Sequence, residues 1–192
     1  DYDSEYRYRG RPLAALQGLD RTDRVIYVGS FSKVLFPTLR LGYLVVPPAQ
    51  VEPFLRARGV LDDHASLLAQ PALAAFIEEG HFAAHLRRMR RLYAERQAAL
   101  LAAGERWLGG LLALQADEAG MHLIAALESG LAACMDDAEA SRRAAKARVT
   151  ALPLSAFYAG VPDRQGLLLG YAGFTPAMLE AGARRLAGAL GG

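Results

Sequence analysis

Apolar and polar positions follow three different rhythms along this chain. Residues 1–22 mix aromatic and charged side chains, and Gly10, Pro12 and Gly18 interrupt any sustained period, which predicts turns. Arg24-Val25-Ile26-Tyr27-Val28-Gly29 is a β-branched and aromatic run, apolar on both faces, as a buried strand of a parallel sheet would be. A second strand is predicted over residues 39–46, closed by Pro47 and Pro48. The period then lengthens. Residues 51–58 are briefly amphipathic, and residues 66–79 are rich in Ala and Leu and stopped by Gly80. Residues 82–103 predict a long helix with Leu86, Met89, Leu92, Tyr93 and Leu100 as its apolar positions. After it, strands are predicted at 111–115, 121–127, 152–158 and 167–172, with a helix over 136–149. Thr175, followed by Pro176, caps a last helix that runs to about residue 190. The class is α/β, and the change of rhythm predicts two parts, residues 1–90 and 91–192.

Composition narrows this picture. With 192 residues, 53% of them apolar and 22% charged, the chain is long and apolar enough for a sizeable core. A net charge of +2 excludes a strongly basic nucleic-acid surface as the default, although Arg87, Arg88, Arg90, Arg91 and Arg96 make the long helix locally basic. Acids elsewhere balance that face, so a solvated or inter-subunit role is the simpler reading. The lone Cys134 excludes a disulfide scaffold and reads as a small buried hydrophobe. No apolar run reaches the ~18 residues of a membrane span. A cytoplasmic protein with no membrane partner is predicted. The chain opens Asp1-Tyr2-Asp3, without Met or a signal-like segment, and is read as a piece of something longer.

Only two of the 22 basic residues are Lys. Where Arg serves almost everywhere, a surviving Lys raises the question of whether an amine is required, because a guanidinium cannot form a Schiff base. Lys146 lies in the charged run Ser141-Arg142-Arg143-Ala144-Ala145-Lys146-Ala147-Arg148 and reads as an ordinary solvated residue. Lys33 differs: it follows the first strand directly, in Ser30-Phe31-Ser32-Lys33. The carboxyl end of a strand is where α/β sheets bind ligands, and desolvation there favours the neutral, nucleophilic amine. Ser30 and Ser32 add hydroxyls, and Arg40, beyond a Pro37-containing turn, adds a guanidinium suited to phosphate. Together they suit a phosphorylated aldehyde, while Ser-x-x-Lys alone also fits a serine acyl-enzyme with a lysine base. Elsewhere, His81 and His85 lie four apart on a helix without a third ligand, so no metal is expected. His122 reads as structural, Tyr6 and Tyr8 as packing, and Trp107 as a core anchor.

Ser30-Phe31-Ser32-Lys33 with Pro37, Arg40, Leu41 and Gly42 resembles the Schiff-base lysine segment of fold-type I pyridoxal-phosphate enzymes. More narrowly, the chain resembles the aminotransferase-like domain of MocR-subfamily GntR transcriptional regulators. The resemblance is carried by Asp1-Tyr2-Asp3-Ser4-Glu5-Tyr6-Arg7-Tyr8, Gly80-His81-Phe82, His85-Leu86-Arg87-Arg88-Met89-Arg90, Gly120-Met121-His122-Leu123 and Leu167-Leu168-Leu169-Gly170-Tyr171-Ala172. It implies the C-terminal half of a transferase large domain, with a mixed, mostly parallel sheet, followed by a small α/β domain. It implies pyridoxal 5′-phosphate as cofactor, with Lys33 as its Schiff-base residue. It also implies Tyr2 at the cofactor's O3′, and Ser30, Ser32 and Arg40 at its phosphate. The carboxylate on the pyridine nitrogen falls one position before Asp1, which leaves Asp1 as the candidate within the chain. The glycine-rich phosphate turn and the ring-stacking residue lie outside these residues, so weak binding is expected of them alone. Leu168 stands where aminotransferases carry a carboxylate-binding Arg, with Arg164 as a substitute from the preceding loop. Homodimerisation, an amino compound or the cofactor itself as effector, and DNA contact through a separate N-terminal domain are implied. An amino-acid aminotransferase is the alternative.

Overall fold

The computed structural model describes residues 4–61, 63–64 and 67–191. In chain order, a 3-10 turn (Ser4–Tyr6) and a short helix α1 (Leu16–Leu19) lead to strand β1 (Tyr27–Ser30). A connection containing the 3-10 turn Pro37–Leu39 joins β1 to β2 (Gly42–Val45), and helices α2 (Pro48–Leu61), α3 (Ala69–Glu78) and α4 (His81–Trp107) follow. Then come β3 (Leu112–Leu114), β4 (His122–Leu127), α5 (Ser129–Ala132), α6 (Asp137–Lys146), β5 (Leu152–Pro153), a 3-10 turn (Leu154–Phe157), β6 (Gly166–Gly170) and α7 (Pro176–Leu190). Contacts divide the chain into two compact units, Asp1–Met89 and Arg90–Gly192, with α4 running through the division. No helix among the described residues is long and apolar enough to cross a membrane.

In the first unit, β1 and β2 form an antiparallel pair, with Tyr27 opposite Val45 and Ser30 opposite Gly42. The expectation of a buried parallel strand over residues 24–29 is therefore corrected. The connection between β1 and β2 is too short for a parallel crossover, which takes a dozen or more residues, and can only return antiparallel. Among the described residues β1 has one neighbour, and its apolar residues are not enclosed: Val28 is 56% exposed and Leu44 of β2 is 50% exposed. Helix α2 starts earlier than its periodicity suggests, with Pro48 in its first turn where no N–H is needed, and it continues through Pro53. Its Val51, Phe54 and Leu55 are exposed. Among the described residues of this unit, Tyr6, Val34, Leu41 and Pro47 are buried. Ahead of β1, the Asp20 carboxylate gathers the backbone N–H groups of Thr22 (2.8 Å), Arg24 (2.6 Å) and Val25 (2.8 Å) and the Thr22 hydroxyl (2.9 Å). These bonds, led by that from the Thr22 amide, hold the Asp20 carboxyl down at about 2.

The second unit is built on a four-stranded antiparallel sheet of order β3-β4-β6-β5. Alternate residues of the strands, Leu123 and Ala125 on β4 and Leu167 and Leu169 on β6, are buried with Leu179, Ala183, Leu186 and Leu190 of α7. Helix α6 packs on α7, β5 and β6, and its start is capped by Asp136, which accepts from the Glu139 amide at 2.7 Å. Thr175 caps α7 as expected, accepting from the Met178 amide at 3.3 Å. Helix α4 extends past the predicted end, to Trp107. The strand expected over residues 152–158 is corrected: only Leu152–Pro153 pairs, and Leu154–Phe157 coil into a 3-10 turn. The cause is Asp137. This buried carboxylate accepts the Ser155 hydroxyl (2.6 Å) and amide (2.9 Å) and the Gly166 amide (3.3 Å), so the Ser155 N–H is lost to any ladder.

Asp137→Ala strands those three donors in the interior and should cost about 2–4 kcal/mol of stability, with a smaller loss for Asp137→Asn, measured by denaturant unfolding. For Asp20 the folded value lies below the ordinary 3.8. Its contribution is therefore present above about pH 4 and is lost as pH falls toward about 2. Thermal melts across that window should lose part of their pH dependence in Asp20→Asn.

Candidate functional site

Lys33 lies in the connection between β1 and β2, and the backbone of that connection is tied at several points. At its base the Phe31 amide donates to the Leu41 carbonyl at 3.1 Å, continuing the β1–β2 ladder by one rung. The Leu35 amide closes a single helical turn onto the Phe31 carbonyl at 2.9 Å. The Ser30 hydroxyl accepts from the Ser32 amide at 3.2 Å, the local capping that short hydroxyl side chains provide. On the other side of Lys33, the Val34 carbonyl accepts from the buried Tyr6 hydroxyl at 3.1 Å and lies 2.9 Å from His85 Nε2 of α4. Aromatic rings support the hairpin: Tyr43 lies 5.5 Å from Phe31 and 5.9 Å from Tyr27, and Phe82 of α4 meets Phe31 edge-on at 6.0 Å. Burial, and then the hydrogen bond with Tyr43, pushes the Tyr27 phenol above its ordinary range.

Two backbone features follow from the close approach of the strands. A Cβ on Gly42 would stand 2.9 Å from the Gly29 carbonyl oxygen, and one on Gly29 would overlap the Tyr43 ring. Arg40 occupies the left-handed region (φ 51, ψ 33), a conformation that costs a non-glycine residue about 1–2 kcal/mol. Non-glycine residues held this way gather at ligand sites, where the surrounding structure enforces them. Ser30, Ser32, Lys33 and Arg40 thus belong to one hairpin end. Their donor set, an amine with hydroxyls and a guanidinium, has the chemistry to hold an aldehyde that carries a phosphate.

Residues 5–186 match the class I and II aminotransferase family. The chain belongs to that family. It is 48% identical over 97% of its length to the probable rhizopine catabolism regulatory protein MocR of Rhizobium meliloti, of which it covers 37%. It is 38% identical, again over 97% of its length, to the uncharacterized HTH-type transcriptional regulator YhdI of Bacillus subtilis, of which it covers 39%. Among solved structures, the Thermus thermophilus α-aminoadipate aminotransferase LysN, complexed with N-(5′-phosphopyridoxyl)-L-leucine, superimposes with a TM-score of 0.85 at 31% identity. That match covers 100% of this chain and 49% of LysN. The Pyrococcus horikoshii kynurenine aminotransferase gives a TM-score of 0.85 at 28% identity, over 100% of this chain and 46% of the enzyme. The chain therefore spans under half the length of these relatives, and its fold is that of fold-type I pyridoxal-phosphate aminotransferases.

Within this aminotransferase-like domain, the expected desolvation of the lysine is corrected: Lys33 is exposed, as are Ser30 and Arg40. The reason is geometric, since a two-stranded hairpin walls only one side of the connection it carries. Asp1 and Tyr2 lie outside the described residues. In the second unit, Arg164 is exposed and pairs with Asp163 at 3.8 Å, and Leu168 pairs across the sheet with Ile124 and Leu152. The His122 imidazole lies over Gly170, 3.2 Å from where a Cβ would stand. His81 pairs with Glu79 at 3.2 Å while His85 is engaged by Val34, so the two imidazoles have separate partners. Among the described residues no group of three or more His, Cys, Asp or Glu could hold a metal. Trp107 is partly exposed, donating to Glu180 at 2.6 Å, and Cys134 is exposed, which corrects the core roles expected of both. A cavity of about 340 Å³ in the second unit, lined by Leu100, Leu108, Phe174, Met178, Arg148 and Arg185 among others, contains none of the predicted site residues. Pattern reading missed the second role of Tyr6 and the role of His85. Both act on a backbone carbonyl, which has no signature of its own in a sequence.

Proposed function

We propose that this chain is the C-terminal part of a pyridoxal 5′-phosphate-binding effector domain in a MocR-type transcriptional regulator. The observation that carries the reading is the 48% identity to a regulatory protein across 97% of the chain, joined to the Lys33 hairpin. In this reading residues 1–90 complete a large cofactor-binding domain and residues 91–192 form the small domain. Lys33 supplies the amine for the cofactor aldehyde. Arg40, Ser30 and Ser32 hold its phosphate, the guanidinium through charge-assisted hydrogen bonds. Tyr2 donates to O3′, and Asp1 is the carboxylate available for the pyridine nitrogen. When bound, pyridoxal 5′-phosphate supplies an aldehyde that captures amines and a ring that withdraws electrons from them. The domain works as a homodimer, a role supported by the exposed Val51, Phe54 and Leu55 of α2. An amino compound or the cofactor itself is the effector, DNA is bound through a separate N-terminal domain, and the protein is cytoplasmic.

A second reading, an aminotransferase acting on amino and oxo acids, is favoured by one observation. The chain is 34% identical over 88% of its length to the 2-aminoadipate transaminase of Thermus thermophilus. Against it, Leu168 offers no charge for a substrate carboxylate. Incubation with an amino acid and an oxo acid together, followed by formation of the new oxo acid, separates the two readings: many product equivalents per protein support the enzyme, and no more than one supports the regulator.

In the full-length protein, titration with pyridoxal 5′-phosphate should produce a visible absorbance band. That band should be lost in Lys33→Ala and in Lys33→Arg, which keeps the charge but not the nucleophile, and kept in Lys146→Ala. Retention in Lys33→Arg would remove Lys33 from the chemistry. Arg40→Ala should raise the dissociation constant about 10- to 150-fold, the value of a charge-assisted phosphate contact.

A further inference from the structure

We propose that His85 and Tyr6 are positioning residues for Lys33, acting through the carbonyl of the next residue, Val34. The proposal rests on the assignment of Lys33 under Proposed function. The Val34 carbonyl oxygen has two lone pairs, and both are taken: the Tyr6 hydroxyl donates at 3.1 Å and His85 Nε2 lies at 2.9 Å. The same hydroxyl lies 3.4 Å from the Lys33 carbonyl oxygen. A carbonyl only accepts, so Nε2 must carry hydrogen, as it does both in the Nε2–H tautomer and in the imidazolium. The contact therefore survives protonation of the ring.

The two donors come from distant parts of the chain. Tyr6 stands at the end of the turn Ser4–Tyr6, and His85 in the second turn of α4, beside the Phe76 ring at 6.5 Å. They converge on one of the few enclosed points of the first unit, where Tyr6 is 1% and Val34 3% exposed. On the preceding side of Lys33, the Ser32 amide is fixed by Ser30 and the turn is closed by Leu35. These bonds hold the Phe31–Ser32 peptide ahead of Lys33 and, through the Lys33 and Val34 carbonyls, the two peptides that follow its Cα. What this governs is the root of a long, flexible stem. A small rotation at Cα is magnified at Nζ, and a misplacement of about 1 Å at a reacting atom costs on the order of 100-fold in rate.

The test uses the full-length protein, titrated with pyridoxal 5′-phosphate alone. His85→Ala, His85→Gln and Tyr6→Phe are each made with Lys33 present and in a Lys33→Ala background. Readouts are the dissociation constant from quenching of cofactor fluorescence and the rate at which borohydride fixes the cofactor to Lys33, located by mass spectrometry. With Lys33 present, His85→Ala and Tyr6→Phe should each weaken binding and slow capture by about three- to tenfold. His85→Gln, which keeps an N–H donor, should recover most of the loss. In Lys33→Ala the same substitutions should change the dissociation constant by less than about twofold, because the lysine through which they act is gone. Equal losses in both backgrounds would mark a purely structural role, and no loss in either would show that the contacts do not position the lysine. Either result overturns the proposal while leaving the Lys33 assignment standing. If wild-type protein shows no Lys33-dependent band, that assignment fails and this proposal with it. Tyr6→Phe removes one hydroxyl only, so it carries the test if His85→Ala does not fold.

Discussion

The carbonyl oxygen of Val34 is the point on which the first unit turns. A buried carbonyl needs partners, and here a tyrosine near the start of the chain and a histidine from the long helix α4 both supply them. Without those donors the β1–β2 connection would rest on the ladder rung between Phe31 and Leu41 and on its own local turn bonds. The connection is shaped by these directed hydrogen bonds together with the packed rings of Tyr27, Phe31, Tyr43 and Phe82. Hydrogen bonds have geometry that apolar burial lacks. This suits the role proposed for the segment, presenting one amine, two hydroxyls and one guanidinium together.

The second unit is built around a sheet with helices packed against it. Its antiparallel sheet buries alternate aliphatic residues beneath α7 and α6, and continuous packing fixes most of its shape. Two buried polar nodes then specify details that packing leaves open. Asp137 fixes where β5 ends and the following turn begins, while the buried Tyr171 hydroxyl donates to the Gly120 carbonyl at 2.8 Å and accepts from Gln97 at 3.1 Å. Gly120 adopts a φ of 99, open to glycine and costly for other residues, which explains the glycine at the start of Gly120-Met121-His122-Leu123. Within an aminotransferase-like fold, one unit carries the Lys33 connection, tied by the contacts on Val34, and the other is a well-packed body.

Much of the candidate site was legible from side-chain chemistry. Lys33 stood out because the chain otherwise uses Arg, and Ser30, Ser32 and Arg40 because hydroxyls and a guanidinium flanked it at a strand end. The contacts of Tyr6 and His85 with the Val34 carbonyl were not legible. Tyr6 read as packing, and His85 as one of two helix histidines with no third ligand and no metal expected, since the group they meet is a backbone carbonyl that every residue possesses. The Asp20 and Asp137 clusters were missed for the same reason: their donors are mostly backbone amides. The parallel strand expected at residues 24–29 failed because an apolar run reports what a strand is able to bury. It does not report which neighbour it finds.

By itself, the sequence determined the helices with strong period or caps, α4, α6 and α7, the strands of the second sheet other than the β5 segment, and the kind of chemistry the Lys33 segment could support. These are local properties, written in spacing and side-chain type over a few turns. Only the tertiary structure decided that β1 returns antiparallel, that Lys33 stands exposed on its hairpin, and that Tyr6 and His85 meet across 28 and 51 residues on one oxygen. Those outcomes depend on contacts between segments far apart in the chain, and no local pattern encodes which distant donor will satisfy a given carbonyl.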